Sequence, residues 1–154
     1  MVEIILYGDQ YHADFKRLNL EWLDKYDLAE AYDLEILEDP KGNVIDKGGF
    51  IFLAVEEGQV IGTAGLAKKN DEEFELIKMA VDPLARGKGT GKLLMKHCLD
   101  FAKRSGIKKL SLFSNSQLQT ALKMYEQFGF VHVEPIDSYL LTADIKMELY
   151  LSPN

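Results

Sequence analysis

Two hydrophobic rhythms alternate along this chain, and the changes of rhythm mark out its elements. Residues 2–7, VEIILY, form a short β-branched run read as a first strand that stops at Gly8-Asp9. From 11 to 26 the apolar positions Phe15, Leu18, Trp22, Leu23 and Tyr26 recur at helical spacing, with Asp9 as the N-cap. A second, acidic helix is expected over 28–37. It ends at Asp39-Pro40, because the residue before a proline is driven out of the helical region. A polar, glycine-bearing loop over 41–49 follows. Residues 50–55 are continuously apolar, the pattern of a strand buried on both faces. Glu57-Gly58 predicts a tight turn into a third strand over 60–67, where Gly62 and Gly65 mark a close approach of another backbone. A polar turn over 68–72 leads to a fourth strand over 74–81. Three strands joined by short turns predict an antiparallel meander.

Beyond residue 81 the connections lengthen. A helix from 90 to about 104 buries Leu94, Cys98, Phe101 and Ala102, and Gly106 serves as its C′ residue. A fifth strand over 108–113 is joined to the fourth by that helix, so the two run parallel. Ser114-Asn115-Ser116 precedes a helix over 117–128 with the stripe Leu118, Ala121, Leu122 and Tyr125, ended by Gly129. Strands over 130–133 and 144–151, separated by a loop over 134–143, close the chain. There is no repeat and no linker. The expectation is one α/β domain over 1–154, with a mixed central sheet of about seven strands flanked by about four helices.

Composition changes this picture little. Apolar residues make up 47% and charged residues 28% of the 154, ordinary values for a globular chain. Cys98 is the single cysteine, which excludes an intramolecular disulfide and favours a reducing, cytoplasmic location. No signal-peptide pattern and no membrane-length apolar run is read, so no membrane partner is expected. A net charge of −7 weighs against nucleic acid as a partner and permits a cationic one. His12, His97 and His132 show no metal-ligand spacing, so no metal is expected.

Chemistry concentrates in residues 74–101, where strand, Asp-Pro turn, glycine-rich basic hexad and amphipathic helix follow one another. A glycine loop opening a helix presents unpaired N–H groups to an anion. Walker A spacing fails, because Arg86 stands where its first glycine belongs and Leu93 follows Gly91-Lys92. A dinucleotide fingerprint fails too, with Lys92 or Leu94 at its third glycine. What fits is Arg86-x-x-Gly89-x-Gly91 after an apolar strand. With the preceding MAVDP, with Asn115 and with KMYEQFGF at 123–130, it resembles the acyl-CoA loop of the GNAT superfamily of N-acyltransferases, most clearly over 50–129.

The resemblance implies a GNAT-like fold, acetyl-CoA as co-substrate, and acetyl transfer to a primary amine by direct attack in a ternary complex. It assigns the diphosphate to the backbone N–H groups of Gly87, Gly89, Thr90, Gly91 and Lys92, with charge from Arg86 and Lys88. Pantetheine is expected along Met79, Ala80 and Val81 where the fourth and fifth strands part, with Asn115 either hydrogen-bonding it or serving only as a helix cap. Three groups are candidates for the chemistry. Tyr125 matches the family's general acid, its alternative being a core tyrosine on the apolar stripe of its helix. Glu75 matches the base that some members use through water, its alternative being a strand glutamate facing solvent or paired to Lys78 or a neighbouring strand. The Met79 N–H is the oxyanion donor. Simple alternation puts Glu75 on the face of Ile77 and Met79, unless a bulge changes the parity. Cys98, on a buried helical stripe, is read as core.

The acceptor side is not supplied by the resemblance. Glu30, Asp33 and Glu35 of the second helix and Asp137, Tyr139 and Asp144 near the closing loop offer an acidic rim. As a binding surface, through Glu30, Asp33 and Tyr139, it suits a small cationic amine or a peptide amine; otherwise these acids are a solvated face. A CoA-binding sensor or interaction domain without catalysis is the alternative function.

Overall fold

The structure, a computed structural model, describes residues 1–135, 138 and 140–151; Asp137 and Tyr139 of the expected acceptor rim lie outside these described residues. The strands are β1 (Val2–Leu6), β2 (Phe50–Glu56), β3 (Gln59–Lys68), β4 (Glu73–Val81), β5 (Lys109–Ser114), β6 (Val131–Val133) and β7 (Ile145–Tyr150). The helices are α1 (His12–Lys25), α2 (Ala31–Glu38), α3 (Thr90–Arg104) and α4 (Gln119–Gln127). One seven-stranded sheet runs in the order β1-β2-β3-β4-β5-β7-β6. The expected meander is present as antiparallel β2-β3-β4, and β5 joins β4 in parallel. No helix among the described residues is long and apolar enough to cross a membrane.

Both faces of the sheet are covered, which explains the unbroken apolar run of β2. Phe52 and Ala54 pack toward α3 and α4 with Leu94, Cys98 and Leu110, while Ile51 and Leu53 pack toward α1 and α2 with Phe15, Leu18 and Leu37. Cys98 is fully buried in the first of these cores, and burial pushes its thiol up to about 12, the state of an inert core thiol. Gly62 does mark a close approach, with helix side chains nearest to a Cβ placed there and a backbone oxygen, that of Ala80, 3.4 Å from it. A Cβ there would stand 2.9 Å from Leu94 Cδ1, so the missing side chain lets α3 settle onto the sheet.

Two helices begin two or three residues later than the hydrophobic pattern predicts. The second helix starts at Ala31, because the Asp33 carboxylate reaches back to accept the Glu30 N–H at 2.9 Å and fixes the first turn there. The fourth starts at Gln119. Asn115 Oδ1 instead accepts the Gln117 N–H at 3.0 Å, forming a turn ahead of the helix.

Candidate functional site

The site is created by two irregularities of β4. The first is a bulge. β3 and β4 pair at Gly62–Val81, Thr63–Ala80 and Gly65–Ile77, leaving Lys78 and Met79 opposite Ala64 alone. Lys78 takes the left-handed conformation, φ +53°, uncommon outside glycine. Its carbonyl is held by the Thr63 hydroxyl at 2.7 Å. Thr63 Oγ1 in turn accepts from Asn19 Nδ2 at 3.1 Å, and the same amide donates to the Phe15 carbonyl at 2.9 Å. Thr63 and Asn19 are buried, so this polar strut satisfies groups that would otherwise be left unpaired. The bulge changes the parity of the strand. Phe74 and Leu76 face α3, Ile77 faces α1 and α2, and Met79 and Val81 return to the α3 side. Met79 is therefore not on the face of Ile77, as unbroken alternation predicts.

The second irregularity is the parting of β4 from β5. The two strands pair only at Glu73–Lys109, Phe74–Leu110 and Glu75–Ser111. Beyond Glu75 they diverge, and a cavity of about 130 Å³ opens between them. Its walls come from α1 (Asn19, Trp22), α2 (Tyr32, Asp33), β4 (Glu75 to Met79), the end of β5 (Leu112 to Ser114), Asn115 just after it and Tyr125 of α4. Leu140 and Thr142 of the loop before β7 close it.

At the other end of β4 the chain turns through Asp82, whose carboxylate accepts the Leu84 N–H at 2.9 Å, into the glycine loop. Gly87 and Gly89 adopt φ of +80° and +85°, and a Cβ on either would meet no atom within 4 Å. The N–H groups of residues 87–92 donate to no other group among the described residues. Lys88 and Lys92 are exposed beside them. An unsatisfied helix N-terminus with open space in front of it fits an anion such as a diphosphate.

Arg86 is placed differently from expectation. Its guanidinium turns away from the loop, donating from Nε to the Val81 carbonyl at 2.9 Å and from Nη2 to both Glu21 carboxylate oxygens at 2.9 and 3.2 Å. It also lies 5.0 Å from the centre of the Trp22 ring. The side chain fastens the loop to α1. Arg86→Ala is accordingly expected to lower stability by about 1–2 kcal/mol, seen as a fall of several degrees in Tm, and to weaken CoA binding by less than about threefold. A large loss of CoA affinity at unchanged Tm would return the side chain to the anion.

The candidate chemical groups converge on the cavity. Tyr125, buried against Phe130 with ring centres 6.1 Å apart, makes no hydrogen bond through its hydroxyl among the described residues. Burial pushes its phenol up to about 12, so it stays protonated at neutral pH. The Glu75 side chain is 4% exposed and pairs with Lys69 at 3.2 Å. Its partner is therefore not Lys78, whose ammonium lies against Asp33 of α2 in a buried ion pair. Met79 falls between paired positions on the β3 side and faces the parted edge on the other. Asn115 Nδ2 donates to the Thr142 carbonyl at 2.7 Å, which ties the end of β5 to the closing loop.

Of the expected acidic rim, Glu30, Asp33 and Asp144 are used inside the protein, while Glu35 is exposed. Both Glu30 carboxylate oxygens accept backbone N–H groups, of Leu141 and Thr142, each at 2.9 Å. Burial alone would raise the Glu30 pKa, but the Thr142 hydroxyl, these two N–H groups and the Lys78 charge together hold it low. Asp144 binds the Ser116 N–H and hydroxyl at 2.8 and 2.7 Å. No cluster of three or more His, Cys, Asp or Glu side chains suited to a metal occurs among the described residues. Sequence reasoning missed Asn19, Thr63, Glu21 and Lys78; only Lys78, a charge inside an apolar strand, carried a local signal.

Comparison with known proteins agrees with this geometry. Residues 13–130 match the model of the acetyltransferase (GNAT) family. The chain is 36% identical over 95 residues to an N-acetylaspartate synthetase of Rattus norvegicus, covering 61% of this chain and 32% of that protein. It is 30% identical over 138 residues to one of Danio rerio, covering 89% and 47%. It is also 35% identical over 95 residues to an uncharacterized N-acetyltransferase, YjgM, of Escherichia coli (strain K12), covering 59% and 57%. The chain thus spans between about a third and a half of the length of the synthetases it matches. A GNAT-family acetyltransferase structure from Staphylococcus aureus Mu50 superposes with a TM-score of 0.88 at 22% identity, covering 99% of this chain and all of that one. The structure of yncA of Salmonella typhimurium, solved with acetyl-CoA, does so at 0.77 and 20%, covering 100% and 96%. At these identities the likeness is one of fold, and with the family match it leads to one conclusion: this chain belongs to the GNAT family of acetyltransferases.

Proposed function

We propose that the protein is an N-acetyltransferase that uses acetyl-CoA to acetylate a primary amine by direct attack in a ternary complex. The observation that carries this reading is the parting of β4 and β5 between an unsatisfied glycine loop and the Tyr125 hydroxyl. Bound acetyl-CoA would supply the thioester, its diphosphate on residues 87–92 and its pantetheine along Met79 to Val81. The Met79 N–H is the donor for the carbonyl oxygen as it gains charge. Tyr125 holds a proton for the departing sulfur. Glu75, with Lys69 beside it, takes the amine's proton through water. Direct attack is preferred because Cys98 is buried in the core and no activated nucleophile among the described residues lines the cavity.

The acceptor is a primary amine. A cationic amine loses support, because Glu30 and Asp33, two of the carboxylates meant to attract it, already accept protein donors. The relatives named for N-acetylaspartate favour instead an amine that carries carboxylates. The lone, buried Cys98 supports a cytoplasmic site of action as part of the same proposal. Acetyl-CoA offered with a panel of primary amines, read by thiol release, tests the reaction. CoA binding without release on any amine would favour a non-catalytic CoA-binding domain instead.

A further inference from the structure

Beside the carboxylates of Asp33 and Glu75, the cavity wall carries a nearly buried cation, Lys78. The Lys78 side chain is 8% exposed, and the strut from Asn19 through Thr63 fixes its backbone at the bulge. The ammonium is directed to the α2 side of the cavity rather than to solvent, against Asp33 and 5.6 Å from the Tyr32 ring centre. An ammonium has three N–H donors, and Asp33 is its one described hydrogen-bond acceptor. The carboxylates around it are differently placed. The second Asp33 oxygen accepts the Glu30 N–H, the two Glu30 oxygens accept from Leu141 and Thr142, and Glu75 pairs with Lys69. The wall therefore retains donor capacity on Lys78, where the sequence suggested carboxylates open to a ligand. Buried donors are costly unless an acceptor meets them.

We infer that Lys78 is the acceptor-recognition cation of this cavity and binds a carboxylate of the amine substrate, which is a free amino acid or a similar small aminocarboxylate. The inference rests on the reading of the cavity as the acceptor site of an N-acetyltransferase. Asp33 would repel a second carboxylate, but an ammonium between two carboxylates makes two attractions at contact distance against one repulsion at about twice that distance. Lys78 also immediately precedes Met79. A carboxylate on its ammonium and an amine a few bonds away place the nucleophile near the parted edge of β4.

Calorimetry on the CoA-loaded protein, with the twenty L-amino acids and their carboxamides as probes, tests this directly. At least one amino acid is expected to bind tenfold or more tightly than its carboxamide. Lys78→Met should reduce that ratio to within about twofold at unchanged CoA affinity, and Lys78→Arg should keep part of it. Because Lys78→Met leaves Asp33 buried and unpaired, the double variant Lys78→Met/Asp33→Asn is measured beside it, with Tm as the check on folding. Equal binding of acids and carboxamides, no binding of any amino acid, or a preference that survives both variants would overturn the inference. Thiol release in parallel separates it from the parent reading. Carboxamides acetylated as fast as acids remove the role of Lys78 and leave the acetyltransferase. Amino acids that bind with no thiol release from any amine remove the acetyltransferase and with it the acceptor role, leaving Lys78 as a carboxylate-binding cation only.

Discussion

Tyr125→Phe is expected to lower kcat by at least tenfold and to leave the Kd for CoA within about twofold. The ring fills its place against Phe130 in either variant, so packing is conserved and the hydroxyl alone is removed. A hydroxyl that makes no hydrogen bond within the protein contributes little to stability, and Tm should move by no more than a degree or two. A positioned general acid contributes about 10²–10⁴ in rate. Stopped-flow thiol release separates chemistry from product loss. The pH profile supplies a second readout. With the phenol raised to about 12, Tyr125 is fully protonated below pH 10, so no alkaline loss of rate in that range comes from this residue. Unchanged kcat would take Tyr125 out of the mechanism.

The second large effect is expected at Gly89. It stands at the start of α3 with φ +85°, a conformation that costs a β-branched residue about 1–3 kcal/mol. In Gly89→Val the free loop relaxes toward negative φ and carries its N–H groups out of alignment, so binding must restore the strained geometry. The new side chain also enters space where no protein atom lies within 4 Å, the space assigned to the diphosphate. The Kd for acetyl-CoA should rise tenfold to several hundredfold. S-acetylpantetheine, which lacks the diphosphate, should be used as well as by the unaltered protein. An acetyl-CoA Kd that does not change would separate the loop from the donor.

The difference between what the sequence conveyed and what it did not is one of range. The meander, the parallel β5 and the glycine loop are set by local rules: short turns, a helical crossover, and glycine where φ is positive. All were legible, as was Tyr125 on its helical stripe. The bulge was not, because it depends on Thr63 and on Asn19, 44 residues from Thr63 in sequence. Its effect on Met79 was therefore hidden. The Arg86 side chain looked like part of the anion site because nothing local points to Glu21, 65 residues earlier. Glu30 and Asp144 read as open acids for the same reason: their partners, Thr142 and Ser116, are reached only in the folded chain.

Helix α1 has a role at both ends of the site. Through Glu21 and Trp22 it grips the arginine of the glycine loop, and through Asn19 and Trp22 it forms a wall of the cavity, the two places the proposed function gives to donor and acceptor. A displacement of this helix is thus felt by both ligands. Free energies form a closed cycle, so whatever factor a bound amine imposes on acetyl-CoA affinity through α1, acetyl-CoA imposes on the amine. Variants of Glu21 change that factor without touching either ligand. Double-reciprocal plots that cross away from the axis, moving toward it when Glu21 is replaced, would be the kinetic signature of a helix shared by two substrates.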